Sequence, residues 1–237
     1  GKRLRPLLHM ICSRLCGYLG DHRFPLAASL EFIHTASLLH DDVIDEAFIR
    51  RGKTSANNLW GNAASVLVGD FLYSQALKLL SEIGDLAIIQ LMSKTTHIMS
   101  EGEVFQLMKC GDASLTEAEY LSIVEKKTAL LISAACASGA LLGGASRDQI
   151  TALEQYGYKI GMAFQITDDT LDYVAREEDF GKSIGKDLEE GKMTLPLIYT
   201  LTQSSEAERQ SIKNIIGQKA SSPEATKEIF ALIQKSG

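Results

Sequence analysis

Proline is scarce, with four in 237 residues, and the glycines are scattered rather than clustered. So few chain breakers argue against an all-β protein and against a long internal linker. The four cysteines, Cys12, Cys16, Cys110 and Cys136, form no Cys-x-x-Cys pair. That removes the usual signature of a zinc or dithiol redox centre. Cys12 and Cys16 share a helix face and are expected as buried free thiols, which suits a reducing cytoplasm. A basic excess is also missing: the net charge is −6, so nucleic acid is not an expected partner. No charge-free apolar run approaches the ~18 residues of a transmembrane helix, and no signal-peptide pattern opens the chain. Neither Gly-x-x-x-x-Gly-Lys-Ser/Thr nor Gly-x-Gly-x-x-Gly after a strand occurs, so any phosphate is not held in a nucleotide loop. No convincing Ser-His-Asp or Cys-His set is present either. The chain begins abruptly on Gly1-Lys2-Arg3-Leu4-Arg5-Pro6, and further sequence is expected at both ends.

What remains is an ordinary globular balance, 45% hydrophobic and 23% charged, able to fill a sizeable core. Apolar residues recur at helical spacing, as in Leu4, Leu7, Leu8, Ile11 and Leu15. Helices are expected over 4–20, 26–45, 63–83, 86–107, 117–142, 147–173, 194–202, 206–216 and 223–234. Pro6 fits a first helical turn. Leu115-Thr116-Glu117-Ala118-Glu119 reads as a hydroxyl cap followed by first-turn acids. A polar connection runs over 46–58, and no stretch alternates with period two, so few or no strands are expected. With no linker between halves, the reading is a single all-α domain over 1–237.

Against that background the carboxylates are out of place. Asp41, Asp42 and Asp45 end the apolar run of 26–45, and Asp168, Asp169 and Asp172 repeat the device at 168–172. Residues four apart share a helix face, so Asp41 pairs with Asp45 and Asp168 with Asp172. Like charges one turn apart destabilise a helix, which asks for a cation. All-oxygen ligands suit a hard divalent ion such as magnesium, which shares its shell with substrate phosphates. Lys2, Arg5, Arg50, Arg51, Lys127, Lys182 and Lys192 lie around these motifs in segments otherwise poor in charge. Such bases suit diphosphate oxygens.

Other residues near the motifs leave alternatives open. His34 lies seven residues before Asp41, roughly 10 Å along the axis, and suits a core histidine as well as a ligand. Gln165 falls on the acidic face and could equally be a core hydrogen-bonder. Asp70 inside an apolar run reads as a structural hydrogen-bonder or part of an acidic wall. Lys127 in an apolar helix is costly unless paired, which favours a functional role.

The ordered set Gly-Lys-Arg-Leu-Arg-Pro (1–6), Ile-His-Thr-Ala-Ser-Leu-Leu-His-Asp-Asp-Val-Ile-Asp (33–45), Arg50-Arg51-Gly52, Gly-Asp-Phe-Leu (69–72), Glu101-Gly102-Glu103, Lys127-Thr128-Ala129, Phe-Gln-Ile-Thr-Asp-Asp (164–169) and Gly181-Lys182 to Lys192 resembles the trans-isoprenyl (polyprenyl) diphosphate synthases. The resemblance spans residues 1 to about 202. It implies the isoprenoid synthase fold, an all-α bundle around a central cavity, and a homodimer. It implies that Asp41, Asp45 and Asp168 ligate about three magnesium ions with substrate bound, with Asp42, Asp169 and Asp172 in or beside that shell. Arg50, Lys127, Lys182 and Lys192 would hold an allylic diphosphate such as farnesyl diphosphate, with Thr128 and Gln165 lining its pocket. Lys2, Arg5, His34 and Arg51 would hold isopentenyl diphosphate.

The family's chain-length positions are Ser37 and Ala36, both small, so a long, octaprenyl-like product is expected. A tunnel floor is expected on the 86–107 helix. A short-chain synthase and a non-catalytic subunit are the alternatives. Retention of all six carboxylates argues against the subunit. A terpene cyclase would leave Lys2, Arg5 and His34 idle, and a metal phosphohydrolase would need more histidines at matching spacing.

Overall fold

The structure is a computed structural model describing residues 2–50, 52–174, 185–216 and 223–236. Its elements, in chain order, are α1 (Leu4–Leu15), α2 (Arg23–Ile44), β1 (Ile49–Arg50), β2 (Lys53–Thr54), α3 (Ala56–Trp60), α4 (Asn62–Ile83), α5 (Leu86–Lys109), α6 (Glu117–Val124), a π turn (Glu125–Ala129), α7 (Leu130–Leu142), α8 (Arg147–Val174), α9 (Lys186–Glu189), α10 (Leu195–Gln203), α11 (Glu206–Ile216) and α12 (Pro223–Ser236). The all-α expectation holds. The only strands among the described residues are the two-residue pair β1–β2, antiparallel with Ile49 opposite Thr54 and Arg50 opposite Lys53. Gly52 supplies the positive φ of 73° its tight turn needs.

The chain divides into two compact units, Gly1–Ser100 with Lys127–Gly161, and Glu101–Lys126 with Met162–Gly237. In the first, α2 packs along α4 and α1 along α7. Leu26, Leu30 and Ile33 of α2 meet Ala76 and Leu80 of α4, with Ile88, Met92, Leu131, Ala134 and Ala135, in one apolar core. Residues 131–140 of α7 are all buried. An apolar helix with little exposed face belongs at a centre, and small residues let its neighbours come close. A Cβ at Gly139 would lie 2.6 Å from His9 O, and one at Gly157 2.8 Å from Ile132 O. Cys12 and Cys136 are buried together here, whereas Cys16 is half-buried and Cys110 exposed; all four thiols are free.

The second unit has its own core. Leu115, Tyr120, Ile123, Val124, Leu188, Met193, Leu197, Ile212, Ile216 and Ile229 close around one another. The expected cap is present: Thr116 Oγ1 accepts from Glu119 N–H, and the Glu119 carboxylate accepts from Thr116 N–H.

Two expectations need correction. The first helix stops at Leu15, not 20, because Gly17 turns left-handed (φ 85°) and Tyr18 N–H returns to Ser13 O. The run 117–142 is not one α-helix: a π turn at Glu125–Ala129 interrupts it. A π turn adds a residue to the local repeat and re-aims the side chains it carries, here Lys127 and Thr128. No helix among the described residues is long and apolar enough to cross a membrane.

Candidate active site

Both acidic groups sit where a helix least wants them. The C-terminal end of a helix carries a partial negative charge, and acids there are destabilising by about 0.3–1 kcal/mol each. α2 ends on Asp41, Asp42 and Asp45, with no base in its last turn. α8 ends through Asp168, Asp169 and Asp172, again with no base in its last turn. Fold stability does not explain such placement; attraction of a cation does.

In the first unit the bases that answer α2 come from two directions. The β1–β2 hairpin presents Arg50, whose Nε donates to Asp42 Oδ1 at 2.5 Å. Asp42 is 2% exposed, so its charge is matched rather than solvated. Its main-chain carbonyl also accepts from Asn57 Nδ2 (3.0 Å) and Ala47 N–H (3.0 Å), which fixes the turn after the helix. From the π turn, Lys127 Nζ comes within 3.6 Å of Asp41 Oδ2. Asp45 caps α2, its N–H bonding to Asp41 O at 2.8 Å, and is half-buried.

One residue before the acids, His40 Nε2 lies 3.2 Å from Val66 O and 3.4 Å from Asp70 Oδ1 on α4. Gly69 makes room for that ring, since a Cβ there would lie 2.2 Å from His40 Nε2. Asp70, although inside an apolar run, is exposed and paired with His40.

Further along α2, His34 is half-buried and its carbonyl accepts from Ser37 Oγ at 2.9 Å. An Arg3–Glu31 ion pair ties the start of α1 to α2 one turn before His34. Lys2 is exposed and Arg5 half-buried at that same end of α1. Ala36 is fully buried and Ser37 half-buried. Arg51 lies outside the described residues.

In the second unit the middle aspartate is held by neutral donors. Tyr120 Oη donates to Asp169 Oδ2 at 2.6 Å, and Gln165 Nε2 donates to Asp169 Oδ1 at 2.7 Å. Burial pushes the Asp169 carboxyl above the usual carboxylate range, while these two hydrogen bonds pull it back. Burial, then the Asp169 carboxylate beside it, holds the Tyr120 hydroxyl firmly protonated, as a donor must be. Asp168 is exposed. Asp172 is half-buried and accepts from Asp187 N–H (3.0 Å) at Oδ2 and from Gly185 N–H (3.1 Å) at its carbonyl. Asp187 is pushed up to about 7 by burial, then by the Asp172 and Asp169 carboxylates. Lys192 N–H reaches Asp187 O at 2.7 Å, and Lys192 Nζ pairs with Glu190 at 2.6 Å. Lys182 lies outside the described residues.

Tyr120 and Asp187 were absent from the expected site residues. Tyr120 sits in an apolar helix and reads as core. Asp187, inside a basic loop, is drawn in only by the backbone bond to Asp172.

The donor set fits magnesium in kind, since the six aspartates offer only oxygen. Among the described residues, no three His, Cys, Asp or Glu side chains converge as a ready-made cage. Magnesium is commonly held by one or two carboxylates and completed by water and substrate phosphate.

Comparison with known proteins agrees. A polyprenyl synthetase family model matches residues 1–233. The octaprenyl diphosphate synthase of Escherichia coli K12 is 44% identical over 218 residues, covering 92% of this chain and 68% of that protein. A decaprenyl diphosphate synthase from Rhodobacter capsulatus superposes with a TM-score of 0.95 at 43% identity, over 100% of this chain and 73% of its own. A polyprenyl synthase from Caulobacter crescentus, solved with calcium and isoprenyl diphosphate, superposes with a TM-score of 0.95 at 43% identity, over 100% of this chain and 72% of its own. Acidic helix ends, answering bases, fold and family model agree, and the chain belongs to the polyprenyl synthetase family, as a prenyltransferase of the isoprenoid synthase fold.

Proposed function

We propose that the protein extends an allylic diphosphate with isopentenyl diphosphate, head to tail, into a long all-trans polyprenyl diphosphate. The observation that carries this is the pair of carboxylate clusters at the negative ends of α2 and α8, one flanked by Arg50 and Lys127 and the other followed by Lys192. Asp41, Asp45 and Asp168 would hold magnesium, with Asp42, Asp169 and Asp172 behind them. Bound magnesium would supply positive charge to the diphosphate leaving group.

Lys127, Arg50, Lys182 and Lys192 bind the allylic diphosphate and stabilise the charge that develops as its C–O bond breaks. Lys127 Nζ lies 3.6 Å from Asp41 Oδ2, beside the carboxylates that would hold the metal. Thr128 and Gln165 would serve the same substrate. Lys2, Arg5, His34 and Arg51 hold isopentenyl diphosphate, whose double bond attacks the allylic carbon. The new bond forms as the electron pair of the broken C–O bond leaves with the diphosphate, and the proton shed from the isopentenyl unit passes to that diphosphate. No side-chain nucleophile is required.

A cytoplasmic homodimer completes the reading. Leu67 and Phe71 stand exposed one turn apart on α4, and exposed Trp60 ends α3 just before it, apolar surface that suits a second copy.

Long product follows from small residues one turn before Asp41. Ser37 is the better handle, because Ala36 is already fully buried and a larger side chain there would overpack the core. Incubation with isopentenyl and farnesyl diphosphates and magnesium, with product-length analysis, tests the whole. The wild type should release chains of octaprenyl length or longer, and Ser37→Phe markedly shorter ones. Absence of condensation by a full-length protein sinks the enzyme reading; a wild type that stops at a short product sinks only the chain-length claim.

A further inference from the structure

The second acidic group is steadied by a residue outside its own helix. Tyr120 lies on α6, is 3% exposed, and has its ring packed in the apolar core of the second unit. That packing fixes the ring whether or not the hydroxyl is present. The hydroxyl is aimed at one atom, Asp169 Oδ2, at 2.6 Å, while Gln165 takes Oδ1 at 2.7 Å. Each oxygen of Asp169 thus has its own donor from a different direction, and the carboxylate cannot rotate without breaking one of them. Successive residues on a helix point about 100° apart. Holding Asp169 inward therefore fixes the directions in which Asp168 and Asp172, one turn apart on a shared face, leave α8.

We propose that Tyr120 is a positioning residue for the reaction: its hydroxyl clamps Asp169 and so sets the rotational phase of the end of α8 and the aim of Asp168. This rests on the reading of Asp168 as a metal ligand. It predicts a defect in metal binding in a protein that still folds, because Tyr120→Phe keeps the ring and removes only the hydroxyl.

The test uses the full-length enzyme. Magnesium dependence of the rate gives one readout. Binding of manganese in the presence of inorganic diphosphate, followed by electron paramagnetic resonance, gives a second that needs no turnover. Tyr120→Phe should raise the metal midpoint about threefold to tenfold in both, a range matching the net worth of one ordinary hydrogen bond. On an Asp169→Ala background the same substitution should change manganese binding by less than about twofold, since the clamp has nothing left to hold. Unchanged midpoints in Tyr120→Phe overturn the proposal, as do effects of Tyr120→Phe and Asp169→Ala that simply multiply. Asp168→Asn, run alongside, separates the two readings. If it leaves the metal midpoint unchanged, the metal assignment itself fails. If it raises the midpoint while Tyr120→Phe does not, only the role of Tyr120 fails.

Discussion

Asp42 and Asp169 occupy the same place in two copies of one motif, and different chemistry holds them. Asp42, 2% exposed, is met by a guanidinium, Arg50 Nε at 2.5 Å. Asp169, 7% exposed, is met by a phenol and an amide. An ionised partner cancels a buried charge; neutral donors only solvate it. Burial accordingly pushes the Asp169 carboxyl up, and its hydrogen bonds recover part of that shift. In both copies the middle acid is turned inward and tied. In the proposed assignment the metal falls to the outer acids Asp41, Asp45 and Asp168, with Asp172 behind them. On that assignment a three-carboxylate motif divides its labour: the middle residue anchors the helix end and outer ones work.

That division is broken most severely by removing a working acid. Asp41→Ala and Asp168→Ala should each lower kcat about a hundredfold to a thousandfold, the usual cost of losing one electrostatic contact to a developing charge. Asp168→Ala should cost little stability, because Asp168 is exposed, whereas Asp41 is buried beside Lys127 and Asp41→Ala should cost more. Steady-state rates with thermal melts check both statements. A mutant that melts early and retains its rate when folded would reverse the assignment of anchor and worker.

The anchors themselves separate next. Arg50→Met strands a buried carboxylate and should cost about 2–4 kcal/mol, somewhat below a fully buried pair because Arg50 keeps 31% of its side-chain surface. Tyr120→Phe leaves Asp169 with the Gln165 amide and should cost about 1–2 kcal/mol. Urea midpoints measured side by side decide it; equal losses would mean that the two anchors are equivalent despite their chemistry.

Acid should also find the units unequal. All five histidines fall within residues 1–100. Of these, His9 is fully buried, with Nδ1 3.0 Å from Ser138 Oγ. Burial lowers its pKa from 6.5 to about 4. The unfolded chain therefore binds the proton first, and the stabilising contribution is present above pH 6.5 and lost as pH falls toward about 4. The loss should reach about 1.4 kcal/mol by pH 5.5. Hydrogen exchange should show the α1–α7 contact opening as pH drops through this window, and His9→Gln should flatten the trend.

Much of this was legible in the sequence. Helix positions follow from apolar spacing. The two acidic ends stand out because charge at the close of an apolar helix has no structural excuse. Lys127 could be singled out from the cost of burying an ammonium. What spacing does not carry is direction. Asp41 and Asp42 are adjacent in sequence, and only the fold shows which one Arg50 claims. The π turn at Glu125–Ala129 has no composition of its own, since its residues suit an α-helix equally. Tyr120 reads as core because its ring is core; the function lies in one oxygen atom.

The smallest expected effect concerns His40, the residue just before the first acids. Alanine at Gly69 would place a Cβ 2.2 Å from His40 Nε2, so the imidazole must swing away from Val66 O and Asp70. Losing those contacts costs about 1 kcal/mol, while alanine in place of glycine inside α4 returns about 0.5–1 kcal/mol of helix stability. The two nearly cancel, so Gly69→Ala should melt within a degree or two of wild type. Activity should still fall severalfold, because the displaced ring sits directly before Asp41 and is one of the contacts holding the end of α2 to α4. A Gly69→Ala enzyme that gains stability by the full helix term and keeps its rate would show that the His40 contact adds nothing to how α2 presents its acids.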